Sequence, residues 1–239
     1  KDVELIIPQD KKISRYTYAL AGPADFYAEN ITLKEGKYWF DLVTPEEKLT
    51  NIPIAIPGMV NVENAIAALS IAYLYGIDKT TMIDSLKNFR GIKRRFDIQL
   101  NQTNLLYIDD YAHHPREISY TIESVRAMYP HKKILGVFQP HLYSRTQDFA
   151  TEFAKSLESL DEAIVLDIYP AREEPIEGVT SKLIAEQIEE IPVTLSTKEE
   201  LLEKLKEKQF DILITLGAGD IDQLVTPITE YYNEQTASE

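Results

Sequence analysis

Leu105-Leu106-Tyr107-Ile108-Asp109-Asp110-Tyr111-Ala112-His113-His114-Pro115 runs from an apolar, strand-like segment into a turn holding two carboxylates and two imidazoles. Beyond it, Ile118, Ile122, Val125 and Met128 recur at intervals of three and four, which reads as one face of a helix. Pro115 falls in the first helical turn, where a missing N–H is tolerated. Strand, turn and helix make the repeating unit of an open α/β sheet, and such sheets bind ligands at the carboxyl ends of their strands. Two readings of the turn are open at this point: a helix cap with a solvated turn, or a binding site.

The same unit recurs downstream. Strand candidates at 96–100, 105–109, 134–138, 163–168, 193–195 and 212–216 alternate with helical stretches at 116–128, 145–160, 180–190, 198–208 and 221–232. This pattern predicts an α/β fold, a Rossmann-like and mostly parallel sheet with helices on both faces. The connection 101–104 is too short for a parallel crossover, so the first two strands should pair antiparallel at an edge.

Upstream, the chain reads as β-rich. Leu5-Ile6-Ile7 is a short apolar run, and 15–20, 26–33 and 38–43 are strand-like. Lys34-Glu35-Gly36-Lys37 is a hairpin signal, and Ile52, Ile54 and Ile56 alternate as in a half-buried strand. After Pro57-Gly58 a helix is expected, capped by Asn61, with Ala65, Ala68, Leu69, Ala72 and Tyr73 on its inner face and Gly76 beyond its end. A second helix at 80–89 would be capped by Thr80 or Thr81. Glycine at 91 breaks the pattern and marks a hinge at 91–95. The expected domains are therefore 1–92, a β-rich piece with two helices, and 93–239, the Rossmann-like part.

The 239 residues are 44 % hydrophobic and 27 % charged, ordinary for a globular protein. No stretch approaches the ~20 apolar residues of a membrane span, so no membrane partner is expected. The formal net charge of −14 disfavours nucleic-acid binding, which needs a basic surface. The absence of cysteine excludes disulfides and thiolate metal sites and fits a cytoplasmic setting. Lys1-Asp2-Val3-Glu4 shows neither an initiating Met nor a secretory pattern, so a longer parent chain is expected. Against the acidic background, Lys93-Arg94-Arg95, His113, His114, Arg116, His141 and Arg145 gather in the middle third, which suggests a site for a small anion.

Three carboxyl-edge loops carry the unusual residues: Asp109 to Pro115, Gln139 to Thr146, and Tyr169 to Pro175. Adjacent parallel strands would bring His113, His141 and Arg145 together on a carboxylate, a task suited to the planar guanidinium fork. Arg145 could instead be an ordinary helix-start residue paired with Asp148 or Glu152. Gly217-Ala218-Gly219 is half of a dinucleotide fingerprint; without a third glycine it reads better as close packing of a turn against the sheet. Asn61 and Asn64 lie one helical turn apart, and an amide can both donate to and accept from an adenine edge.

Taken together, Pro57-Gly58 with Asn61-x-x-Asn64-Ala65, Gly91-Ile92-Lys93-Arg94-Arg95-Phe96, the Asp109–Pro115 turn and Phe138-Gln139-Pro140-His141 stand in the order and spacing of the Mur ligases. These ATP-dependent enzymes build the peptide stem of bacterial peptidoglycan. The chain resembles this family, and His113-His114-Pro115, the Gln-Pro-His loop and Gly217-Ala218-Gly219-Asp220-Ile221 resemble its L-alanine-adding members most. The resemblance implies that 1–92 is the C-terminal portion of the central ATP-binding domain and 93–239 the C-terminal amino-acid-binding domain. It implies that Asn61 and Asn64 contact adenine, that Arg95 reaches the phosphates and that Asp110 bonds the ribose. His113 and Arg145 would hold the carboxylate of the incoming amino acid. His141 or Arg172 would compensate for the arginine that alanine-adding members often carry where this chain has Leu142. Val60 stands where a His commonly precedes the first Asn.

The implied substrates are UDP-N-acetylmuramate, L-alanine and ATP, with Mg²⁺ in the full-length enzyme. The family's phosphate loop is absent, since the one Gly-Lys pair is Gly36-Lys37-Tyr38. The chain alone is therefore expected to bind no cofactor and to be inactive. Other classes remain open: a recycling ligase that attaches a tripeptide, a metal-dependent hydrolase using Asp109, Asp110, His113, His114 and His141, or a non-catalytic binding module.

Overall fold

The computed structural model describes residues 14–34 and 36–236, so the Leu5-Ile6-Ile7 run lies outside the described residues. The chain forms two compact units. One holds the described residues up to Ile54 together with Asn61–Asn88; the other holds Ala55–Val60 and the described residues from Phe89 onward.

The first unit is a four-stranded sheet in sequential order, β1 (Tyr18–Ala19), β2 (Phe26–Lys34), β3 (Lys37–Val43) and β4 (Lys48–Pro53). β2, β3 and β4 are antiparallel neighbours, with Lys34 opposite Lys37 at the hairpin, and β1 runs parallel to β2. The expected strand at 15–20 shrinks to two residues. The isoleucine alternation does not run as one strand: β4 ends at Pro53, which offers no N–H to the ladder, and only Ile54 N reaches back, to Tyr38 O at 2.9 Å.

α1 (Met59–Leu74) starts two residues before Asn61, so Asn61 lies inside the first turn and is not the cap. Its buried residues are Val62, Ala65, Ile66, Leu69 and Ser70; Ala68 is exposed, and Ala72 and Tyr73 are half-buried. The larger Val62 and Ile66 take the inner face because they bury more apolar area than alanines. At the far end the expectation for Gly76 holds. It has φ +77°, and Gly76 N to Tyr73 O and Ile77 N to Ala72 O close the last turn. α2 (Lys79–Asn88) is capped by Asp78, whose Oδ1 accepts from Thr81 N at 2.9 Å, rather than by either threonine.

The second unit is the predicted α/β sheet. Its strands are β5 (Asp97–Asn101), β6 (Leu106–Asp110), β7 (Ile134–Phe138), β8 (Glu162–Leu166), β9 (Val193–Ser196) and β10 (Ile212–Leu216). The order in space is β5-β6-β10-β7-β8-β9, all parallel except the antiparallel edge strand β5. β10, last in sequence, is therefore central, and it separates β6 from β7, which the sequence suggested were neighbours.

Alternate residues of each central strand enter two different cores. Ile108, Phe138, Val165 and Ile214 pack with Ile118 and Ile122 of α3 (Pro115–Met128) and Phe153 and Leu157 of α4 (Tyr143–Leu157). Tyr107, Val137, Ile164 and Leu213 pack with Leu201 and Leu205 of α6 (Lys198–Lys206) and Ile228 of α7 (Val225–Thr236). The connection from β9 to β10 runs back across the sheet, and right-handed crossovers going the other way place their helices on the other face.

Two helices are shorter than their apolar periodicity. The 180–190 stretch yields only α5 (Lys182–Ala185), and 221–232 begins as a 3₁₀ turn, Asp220–Leu224, before α7. Among the described residues no helix is long and apolar enough to cross a membrane.

Candidate functional site

The chain's progress across the sheet reverses to place β10 between β6 and β7, and the loops leaving the carboxyl ends of these three parallel strands meet there. Asp109 and Asp110 belong to the end of β6 rather than to the turn. Successive strand residues face opposite sides, so the pair splits. Asp109 accepts from Thr215 Oγ1 of β10 at 2.7 Å and from Arg94 Nε at 3.3 Å. Asp110, only 7 % exposed, accepts from Ala112 N at 2.9 Å, Phe96 N at 3.1 Å and Thr121 Oγ1 at 3.0 Å. Burial raises both carboxyls above their ordinary pKa, and these hydrogen bonds pull against it. Both aspartates thus hold the turn in place, and in this conformation the Asp110 carboxylate faces the protein.

The turn itself is fixed from α3. The Glu117 carboxylate accepts from His113 N at 3.0 Å and His114 N at 3.2 Å, while His114 Nδ1 caps the helix by accepting from Arg116 N. Pro115 occupies the first turn as the sequence indicated. The His113 ring is left at the rim, with Nδ1 3.1 Å from Tyr111 O.

The β7 loop comes to the same rim. Tyr169 N donates to Pro140 O at 2.8 Å and Leu142 N to Tyr169 O at 2.9 Å, which pins the β7 loop to the β8 loop. Leu142 has φ +73°, a left-handed conformation that costs a non-glycine residue about 1–3 kcal/mol and recurs at functional sites. It precedes α4 without capping it through its side chain. Glu173 from the β8 loop receives Ser144 N at 2.9 Å and Ser144 Oγ at 2.5 Å, placing a carboxylate at the positive end of α4.

The outcome is a row of four rings. Centroids are 5.2 Å apart for Tyr111 and His113, 6.2 Å for His113 and His141, and 5.7 Å for His141 and Tyr169. Burial lowers the His141 pKa, the positive charges of Arg145 and His113 push the same way, and Glu173 opposes them. His113, His141 and Arg145 therefore share one rim, even though β10 stands between their strands. Among the described residues, His141 Nδ1 and Arg145 Nη1 are both buried without a hydrogen-bond partner, and no salt bridge joins Arg145 to Asp148 or Glu152.

The remaining sequence candidates fall as follows. Arg95 is exposed, its guanidinium 5.1 Å from the Tyr111 ring centre. Arg172 is exposed. Asn61 and Asn64 belong to the first unit, one turn apart on α1, with Asn61 half-buried and Asn64 exposed. The metal-hydrolase reading finds no support in this arrangement: among the described residues no group of three or more His, Asp or Glu is placed to hold an ion.

The sequence grouped Arg94 with the basic residues of a small-anion site; in the structure it is a clasp. Besides Asp109 it reaches Gly217 O at 2.6 Å, Gly219 O at 3.4 Å and Asp222 Oδ2 at 3.6 Å. The other partner of Asp109, Thr215, was visible as the one polar residue in the apolar run Ile212–Leu216.

The glycine loop packs as expected. A Cβ on Gly219 would lie 2.4 Å from Gln139 Oε1 and 2.7 Å from Tyr169 Cβ, and one on Gly217 would lie 2.7 Å from Gln139 O. Gln139 Oε1 already accepts from Ile221 N at 2.9 Å, so it has little room to move. Gly219→Ala is expected to destabilise the second unit by about 1–3 kcal/mol, read as a lower urea midpoint.

The sequence profile described as "Mur ligase, glutamate ligase domain" matches residues 94–219, more than half of the chain, and the profile described as "Mur ligase middle domain" matches residues 4–72. The chain belongs to the Mur ligase family. Among family members, the UDP-N-acetylmuramate–L-alanine ligase of Parabacteroides distasonis is 45% identical over 223 residues, covering 93% of this chain and 48% of the relative. That of Phocaeicola vulgatus is 44% identical over 236 residues, covering 98% and 51%. The crystal structure of UDP-N-acetylmuramate-alanine ligase from Thermotoga maritima superposes with a TM-score of 0.78 at 25% identity, covering 92% of this chain and 48% of that one. The chain thus spans about half the length of the Mur ligases it matches.

Proposed function

We propose that this chain is the amino-acid-binding half of an ATP-dependent, cytoplasmic ligase that joins L-alanine to UDP-N-acetylmuramate in peptidoglycan synthesis. The observation that carries the reading is that two buried nitrogens at the sheet rim, Arg145 Nη1 and His141 Nδ1, have no hydrogen-bond partner among the described residues. A buried N–H without an acceptor costs free energy, of order 1–3 kcal/mol and more for a charged group. A carboxylate brought by an amino acid would supply the missing acceptor, with His113 beside it. The relatives' names point to alanine as that amino acid.

In this reading residues 1–92 are the end of the central ATP-binding domain and 93–239 the C-terminal domain. Asn61 and Asn64 serve the adenine, Arg95 the phosphates and Asp110 the ribose side, here by holding the turn that carries Tyr111 and His113. The sole Gly-Lys pair lies next to the β2–β3 hairpin turn, and the described residues offer no metal cluster. The phosphate loop and the Mg²⁺ ligands are accordingly assigned to the half of the ligase that this chain does not span.

The chemistry proposed for the whole enzyme has two steps. The sugar carboxylate attacks the γ-phosphorus of ATP, the bond to the β,γ-bridging oxygen breaks, ADP leaves and the carboxylate becomes an acyl phosphate. The alanine amine then attacks the acyl carbon, the bond to the phosphate oxygen breaks, and phosphate leaves. The task of this chain is positioning: fixing the carboxylate aims the amine, and orientation of this kind contributes on the order of 7–11 kcal/mol in model reactions.

The test is phosphate release from ATP in the presence of UDP-N-acetylmuramate. The full-length protein should release phosphate only when L-alanine is added, and this chain alone should release none. Release by the full-length protein that ignores the amino acid would remove the assignment.

A further inference from the structure

Two guanidinium groups, those of Arg94 and Arg95, each lie 5.1 Å from the centre of the Tyr111 ring. The two arginines differ in kind. Arg94 is 14 % exposed and tied to Asp109, Gly217, Gly219 and Asp222, so it is a fixed base. Tyr111 N also donates to Arg94 O at 2.8 Å. Arg95 is exposed and, among the described residues, its guanidinium has neither a salt bridge nor a hydrogen bond; Asp110 feels its charge only through space. A long cationic side chain facing solvent ordinarily samples many rotamers, and stacking on an aromatic face restricts that sampling.

We propose that Tyr111 is a positioning residue: its ring, anchored beside the fixed Arg94, holds the guanidinium of Arg95 ready for an anionic group of the nucleotide. This rests on the phosphate role proposed for Arg95 and extends it, because it names what pre-organises that charge. The ring is the working part. The Tyr111 hydroxyl forms no hydrogen bond among the described residues, so a phenyl ring is sufficient.

The test is a double-mutant cycle in the full-length ligase, reading kcat/KM for ATP. Tyr111→Phe should stay within about twofold of the parent, and Tyr111→Leu should lose about tenfold, the size of one good cation–aromatic contact. Arg95→Ala should lose at least as much, and adding Tyr111→Leu to it should cost no more than about a further twofold. Losses that multiply in the double variant, or a Tyr111→Phe loss equal to that of Tyr111→Leu, would overturn the positioning role while leaving Arg95 in place. An Arg95→Ala enzyme with unchanged ATP kinetics would overturn both it and the reading beneath it. The Phe variant keeps the test decisive if the Leu variant does not fold.

Discussion

Arg145→Ala in the full-length ligase is expected to raise the KM for L-alanine by roughly 10- to 100-fold, the worth of a charge-assisted hydrogen-bonded pair. The KM for ATP and kcat should each change less than about threefold, because a carboxylate contact is made equally in the ground and transition states and is therefore uniform binding. The structure adds a second expectation that separates this role from a structural one. Arg145 Nη1 is buried with no acceptor among the described residues, so in the free protein it costs stability rather than supplying it. The melting temperature of Arg145→Ala should equal or exceed that of the parent. A variant that loses alanine affinity and thermal stability together would assign Arg145 to the fold and remove it from the substrate site. Equal losses toward ATP and alanine would do the same.

Arg94→Met is expected to act in the opposite sense, on the fold. Asp109 is 1 % exposed, and its charged partner is Arg94. Taking one partner from a buried ion pair costs about 3–5 kcal/mol, or roughly 6–20 °C in melting temperature for a domain of this size. The loss should depend on pH. Burial already lifts the Asp109 carboxyl above its ordinary pKa, with Thr215 and Arg94 opposing it. A carboxyl raised in the folded state contributes stability that is present below the ordinary value, near pH 4, and lost as pH rises through the raised value. Without Arg94 the folded-state value rises further, so the deficit should be smallest in acid and largest at neutral pH. Asp109→Asn in the same background should recover much of the loss, since no buried charge then needs a partner. A deficit that stays flat across pH, or no recovery with Asn, would contradict the clasp.

The two variants divide the basic residues of the middle third by task. Positive charges gathered within an acidic chain pointed to a small-anion site, and composition alone could not say which of them are occupied. Arg94 is consumed by Asp109 and by the carbonyls of the glycine loop, whereas Arg95 and Arg145 are not. That difference depends on register. Thr215 lies beside Asp109 in the β6–β10 pairing, and the Gly217–Gly219 turn then falls within reach of Arg94.

Period and turn chemistry carried most of the architecture. Apolar strands 134–138 and 212–216 were legible to the residue, since a strand buried on both faces reads as a near-continuous apolar run, interrupted here only by Thr215. Pro115 and Gly76 were legible because each satisfies a local backbone demand that no neighbour can change. Caps were less legible. Asn61, Thr80 and Thr81 are all good cap residues, yet Gly58 and Asp78 end up at the helix starts, because the choice among adjacent candidates is settled by how the helix docks.

By itself the sequence determined the strand–helix alternation, the antiparallel edge strand and the loops that bear His113, His141 and Arg145, all of which follow from local periodicity and loop length. Only the tertiary structure decided that β10 enters between β6 and β7, that Asp109 and Asp110 are hydrogen-bonded within the fold, and that Arg94 and Arg95 both lie against Tyr111. Strand order and side-chain pairing join residues more than 100 positions apart, as Thr215 and Asp109 show. Local propensity carries no information at that range, whereas packing and the need to satisfy buried polar groups do.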